Sequence, residues 1–178
     1  MAFGRLKAPL IVTALAISST NALAGGLSDA EVIGIYAQVN SFDIETALLG
    51  ELRGQSEEVR ALGRMVSGDH SGVRATVHEI ASNLGIVPVL PPSRIQAAMD
   101  HDKVTTALRA ADPAEFDALY LKHEIAFHRA AIDAVNGALI PETDAPELKA
   151  HFEAVLPAFE HHLNANIEAA KKLGVAVE

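Results

Sequence analysis

Five residues of this sequence stand where a helix should be apolar: Asp43, His70, Glu124, His128 and His162. On a wheel turning ~100° per residue, Asp43 falls in the stripe Val32, Tyr36, Val39, Ala47, Gly50, and His70 in Leu62, Val66, Val73, Val77. Asp69 and His78 flank His70. Glu124 and His128 stack one turn apart on the stripe Asp117, Leu121, Ala131, Val135, and His162 sits beside Phe159 and Leu163. A polar group in such a place costs free energy unless something pairs with it. Asp43, His70, His128 and His162 lie within about three residues of the midpoints of their segments, roughly 4.5 Å along a helix axis. Antiparallel packing of four such helices brings three imidazoles and a carboxylate to one layer.

Imidazole with carboxylate is a ligand set for zinc, copper or iron. The chain has no Cys, which excludes a thiolate zinc site, an iron–sulfur cluster, a cysteine nucleophile and any disulfide framework. The expectation is therefore one transition metal ion held by His70, His128 and His162, with Asp43 or Glu124 completing the shell. A dinuclear carboxylate site would need inward Glu-x-x-His pairs, and none occurs at the right depth. His123 and His128 are spaced i, i+5 and cannot form the zinc-protease pair. No further catalytic group accompanies the set, so metal handling or stress defence fits better than turnover; an oxidase with an irregular metal site is the enzymatic alternative. The competing reading is a structural or interaction module in which the buried His/Asp layer only fixes packing or titrates. A haem or organic ligand is a third. Of the remaining histidines, His123 reads as a boundary residue, and His78, His101, His151 and His161 as surface or flank.

The elements that must position this layer are helical. Ser28-Asp29-Ala30-Glu31 is a capping box that predicts a first helix from about 29 to 53, closed by Gly54. Ser56 opens a second helix that stops at Gly85. Asp112-Pro113 opens a third, expected to reach about Leu139 before Pro141, and Asp144-Ala145-Pro146 a fourth ending at Lys171-Lys172-Leu173-Gly174. Pro157 lies inside the fourth, where it predicts a kink. Between helices two and three, Ile86 to Ala111 is a connection of roughly 26 residues, long enough to need a reason. It opens with Pro88, Pro91 and Pro92 and continues as a weaker helical segment from Ser93. Two helical hairpins joined by one long crossover make an all-α, ferritin-like four-helix bundle.

Composition agrees. Of 178 residues, 49% are hydrophobic but only 4% aromatic, with no Trp, a mixture suited to helix packing. Lys and Arg number 14 against 23 Asp and Glu, a formal charge of −9 that disfavours a nucleic-acid partner. Residues 1–24 carry Arg5 and Lys7, an apolar run from Ala8 to Ile17 and the ending Ala22-Leu23-Ala24, the pattern of a cleaved secretory signal. The run is too short to span a bilayer. The expected mature domain is residues 25–178, two charges more acidic than the whole chain, without stable membrane insertion, and periplasmic or secreted.

Arg64-Met65-Val66 followed by Asp69-His70, Phe116-Asp117 with Tyr120 and His128, and Leu156-Pro157 followed by His162-Leu163 together resemble a secreted bacterial family, the ferritin-like domain-of-unknown-function family 4142. The resemblance covers nearly all of the expected mature chain. It implies an exported ferritin-like four-helix bundle and no established reaction. Asp43 stands where that family usually carries Glu, and Glu45 where a second acid is common.

Overall fold

The computed structural model describes residues 26–177, so the expected export signal lies outside the described residues. Among the described residues all regular structure is helical. Helix α1 spans Asp29–Arg53. The Ser28 side chain accepts from the Glu31 N–H, and the Glu31 carboxylate accepts in return from the Ser28 N–H at 3.0 Å, which satisfies donors that the first turn would otherwise leave bare. Helix α2 spans Glu57–Asn83, opens on Ser56 and is stopped by Gly85, whose φ of 66° suits a residue without Cβ. The Asp117 carboxylate also accepts from the Gln55 and Ser56 N–H groups, both at 2.8 Å. That accounts for an acid at the head of the third helix's apolar stripe.

α1 and α2 form a tight antiparallel hairpin because Gly63 lets the backbones touch. A Cβ there would lie 2.5 Å from the Ala47 carbonyl oxygen and 2.3 Å from the Glu51 nitrogen. The crossover then runs back beside α1, where the Val89 N–H donates to the Ala30 carbonyl at 2.9 Å. After a single turn at Pro92–Arg94 it forms helix α3, Ile95–Ala110. This is a full helix rather than the weak segment expected. Its buried Thr105 and Leu108 anchor it, and the Arg53 guanidinium accepts the role of cap, donating to the carbonyls of Leu108 (2.5 Å), Arg109 and Ala111 (2.9 Å).

Helix α4, Pro113–Ala134, continues through a π-turn at Val135–Leu139 into Ile140–Glu142. It therefore passes Pro141 instead of ending before it. The wider turn has already broken the i→i−4 pattern, so the missing proline N–H costs little there. Helix α5 spans Pro146–Lys172 and runs on as helix through Pro157. Asp29 holds its start by accepting from the Asp144 and Ala145 N–H groups at 2.9 and 3.0 Å.

α1 packs on α2, α4 on α5, α2 on α5 and α1 on α4, giving a helical bundle. Its interior is divided. One apolar cluster gathers Ile33, Tyr36, Val77, Leu148, Phe152 and Phe159. Another gathers Val59, Leu62, Phe116, Leu121, Ile125 and Ala170 towards the opposite end. Asp43, His70, Glu124, His128 and His162 are all fully or almost fully buried; Asp43, His70, His128 and His162 lie in sequence between the members of the two clusters on their helices, and Glu124 lies at the edge of the second, beside Ile125.

Overpacking of a close helix contact costs about 1–3 kcal/mol, and Gly63→Ala is expected to lose that much, read from the urea midpoint. Gly68→Ala, five residues along α2 with nothing within 4 Å of its Cβ position, should instead gain roughly 0.5–1 kcal/mol. Equal effects at the two positions would refute the close-approach account.

Candidate metal centre

The three buried imidazoles form a triangle with ring centroids 5.2 Å (His70–His162), 5.4 Å (His128–His162) and 5.7 Å (His70–His128) apart. One ligand atom from each lies within 4.8 Å of the others, and Asp43, Glu124 and His128 form a second such group. All five residues singled out in the sequence therefore meet, with His128 common to both groups.

The orientation of each ring is set from behind. Asn40 donates its amide N–H to the Tyr36 carbonyl at 2.8 Å, which turns its Oδ1 towards His70 Nδ1 at 2.9 Å. Only a protonated Nδ1 can donate to that oxygen. His128 Nδ1 meets the Glu124 carbonyl oxygen, one turn back on α4, at 3.0 Å. His162 Nε2 meets the carboxylate of Asp69 at 2.9 Å. In every case the proton belongs on the nitrogen that faces an acceptor outside the triangle. The inward nitrogens, His70 Nε2, His128 Nε2 and His162 Nδ1, then present lone pairs in the neutral ring.

Those lone pairs face more acceptors. His70 Nε2 is 3.3 Å from His162 Nδ1 and 2.9 Å from Asp43 Oδ2. His128 Nε2 is 3.4 Å from the same oxygen. Among the described residues, neither Asp43 oxygen, neither Glu124 oxygen nor His128 Nε2 has an aligned hydrogen-bond donor. An orphaned buried polar atom costs ~1–3 kcal/mol, and among these the Glu124 and Asp43 carboxyls relieve one another when they share a proton.

The protonation pattern follows from burial and mutual charge. Burial opposes ionisation of Asp43, but the positive charge that the His70 and His128 rings carry when protonated outweighs burial and holds its carboxyl below the usual carboxylate range. Glu124, buried next to that charge, is pushed well above it, so the pair keeps one negative charge. Burial pushes His128 and His162 down, against the opposing pull of Asp43 and Asp69 respectively. Burial likewise raises the phenol of Tyr36, against the Asn40 side chain beside it, and that of Tyr120, to which the Glu124 and Asp43 charges add.

The other histidines divide less simply than expected. His78 and His161 are exposed. His101 is not a surface residue: its side chain is 9% exposed, it meets Glu45 at 2.9 Å and it stacks on Phe42 at 4.1 Å. The cause is α3, which folds it back onto α1. His123 is half-buried with an unpartnered Nε2, as is His151, which meets Tyr36 edge-on. Asn40, Thr46 and Asn166 are buried polar residues that the sequence reading passed over. Asn166 lies one turn beyond His162 and donates to its carbonyl at 2.9 Å. Spacing of i−3 from Asp43 and i+4 from His162 was the available signal for Asn40 and Asn166.

Fold and cluster together define an all-helical protein whose buried His and carboxylate groups have the spacing to hold a metal ion. Residues 12–169 match the family described as "Domain of unknown function (DUF4142)", and the chain belongs to that family. No curated protein and no solved structure matches it. Among the described residues no helix is long and apolar enough to cross a membrane.

His123 is pushed from 6.5 down to about 4, chiefly by burial, with the Asp43 charge opposing. An imidazole depressed in this way binds its proton less readily folded than unfolded. Its share of stability is complete above about 6.5 and is lost as pH falls towards about 4. The urea midpoint should therefore drop across that window, and His123→Gln should shrink the drop. An identical pH slope in both proteins would contradict this.

Proposed function

We propose that this protein is an exported, ferritin-like four-helix bundle that holds one transition metal ion, zinc, copper or iron, through His70, His128 and His162, with Asp43 or Glu124 completing the shell. The single observation that carries the reading is the acceptor that stands behind each imidazole, 2.9–3.0 Å from the ring nitrogen facing away from the triangle. Asn40, Asp69 and the Glu124 carbonyl each take an outward N–H, the arrangement that orients histidines as ligands. Inward, the opposite nitrogens of His70 and His128 converge on Asp43 Oδ2 and that of His162 on His70.

The spacing supports the same reading. Ligands bound at ~2.0–2.1 Å to a tetrahedral ion stand about 3.3 Å from one another, and the inward atoms here are 2.9, 3.3 and 3.4 Å apart. Depression of the His128 and His162 pKa values keeps those rings free of competing protons at neutral pH. The layer is closed to solvent, with Asp43, Glu124 and His162 at 0% exposure, which suits retention of an ion better than turnover of a large substrate. The role proposed is metal handling or stress defence. Export rests on the signal pattern of residues 1–24, and the ferritin-like topology on two antiparallel hairpins, α1–α2 and α4–α5, joined by the crossover that contains α3.

Purified protein loaded with Zn²⁺, Co²⁺, Cu²⁺ or Fe²⁺ and then desalted should retain about one equivalent of at least one of them, by elemental analysis. It should also be stabilised by about 2.7 kcal/mol at a free concentration of 100 Kd. The His70→Ala/His162→Ala double variant should retain none. Wild-type protein holding less than about a tenth of an equivalent of every ion would sink the proposal.

Asp69 is exposed, so its replacement leaves the core intact while removing the acceptor behind His162. Asp69→Ala should weaken the ion's affinity about 10–100-fold with unchanged circular dichroism. Unaltered affinity would show that His162 is not oriented from behind.

A second reading has its own observation, the 2.9 Å approach of His70 Nε2 to Asp43 Oδ2. One added proton there would make a buried ion pair that only specifies packing. Apolar replacements of similar volume across the layer should then leave stability unchanged or raised.

A further inference from the structure

The crossover carries a second anomaly, independent of the metal layer. Arg94, in the single turn before α3, is only 6% exposed. Its Nε donates to Gln38 Oε1 at 2.9 Å, its Nη2 is buried without a partner, and no carboxylate pairs with it among the described residues. Guanidinium groups are almost never buried unless paired. That one should be left so in a chain of charge −9, with acids in excess, calls for an explanation.

The surface beside it is anomalous in the opposite sense. Ile95 is 61% exposed, Met99 55% and Leu90 48%. With Ala98, Gln38 and Arg94 they line an open groove of about 510 Å³, within the range of small-molecule sites. A cluster of exposed apolar side chains marks a place where something binds. Lys103, at the end of the groove, is already neutralised by Asp100 at 2.7 Å. Arg94 is therefore the lining's one cation without a carboxylate beside it.

We infer that this groove binds an amphipathic monoanion, a free alkyl carboxylate whose head group pairs with Arg94 and whose chain lies along Leu90, Ile95, Ala98 and Met99. The planar guanidinium fork matches a carboxylate, and Arg94 is the lining residue that offers it. A single unneutralised cation suits a single negative charge, and Asp102 in the lining opposes a second. A membrane surface is the poorer fit, because binding to anionic lipid draws on clustered Lys and Arg and this lining has only Arg94 and the paired Lys103.

Isothermal titration calorimetry with sodium decanoate, kept below its micelle concentration, tests the inference on the purified protein. One decanoate should bind per chain. Arg94→Gln should weaken binding at least tenfold, and so should Ile95→Glu, an exposed substitution that leaves the fold intact and puts a charge in the path of the chain. Decanol should bind at least tenfold more weakly than decanoate. The inference is overturned by no heat of binding, by equal affinity for decanol, or by affinity unchanged in both variants. It is equally overturned if the protein binds vesicles of phosphatidylglycerol but not free decanoate.

Discussion

The structure turns on one constraint: a layer of hydrogen-bond acceptors has been taken out of water and turned inward. Asp43 Oδ2 lies 2.9 Å from His70 Nε2 and 3.4 Å from His128 Nε2, and His70 Nε2 lies 3.3 Å from His162 Nδ1. In a low-dielectric interior such groups repel unless something positive joins them, and an unpaired buried charge is strongly destabilising. Nearby residues hold the rings in that orientation instead of relieving it. Asn40, fixed by the Tyr36 carbonyl, cannot offer His70 a donor, and Asp69 offers His162 only an acceptor.

The rest of the bundle holds that layer at one depth. Apolar clusters close it at either end, so the four helices have little freedom to slide past one another without exposing Phe152 and Phe159 at one end or Phe116 and Leu121 at the other. Gly63 draws α1 and α2 together, while Asp117 and Asp29 tie the starts of α2 and α5 to neighbouring helices. The Arg53 guanidinium fastens the end of α3 beside α1. A polar layer between two apolar clusters specifies register, because a slip would carry the Asp43 and Glu124 carboxyls away from the imidazoles into apolar surroundings.

Much of this was legible in the chain. Ser28, Gly54, Ser56, Gly85, Pro113 and Pro146 mark helix ends that the structure reproduces within a residue or two, because capping chemistry is local. Asp43, His70, Glu124, His128 and His162 were legible because a polar residue in an apolar stripe has one direction to point. The π-turn before Pro141 was not, since it depends on how α4 meets α5. Nor was the burial of His101 against Phe42, which requires α3 to fold along α1. Arg94 gave no signal at all: a lone arginine in a proline-rich turn reads as solvent-facing.

The sequence by itself determined an all-helical chain, its helix ends other than the one at Pro141, and the five polar residues that face inward, because helical period and capping are properties of neighbours a few residues apart. Only the tertiary structure decided which nitrogen of each imidazole looks inward, that Glu124 is kept neutral beside an ionised Asp43, and that Arg94 is buried without a counter-charge from the described residues. Those depend on acceptors contributed by other turns and other helices. The proton on His70 is placed by Asn40 30 residues away, and that on His162 by Asp69 93 residues away. No periodicity within one helix encodes such a pairing.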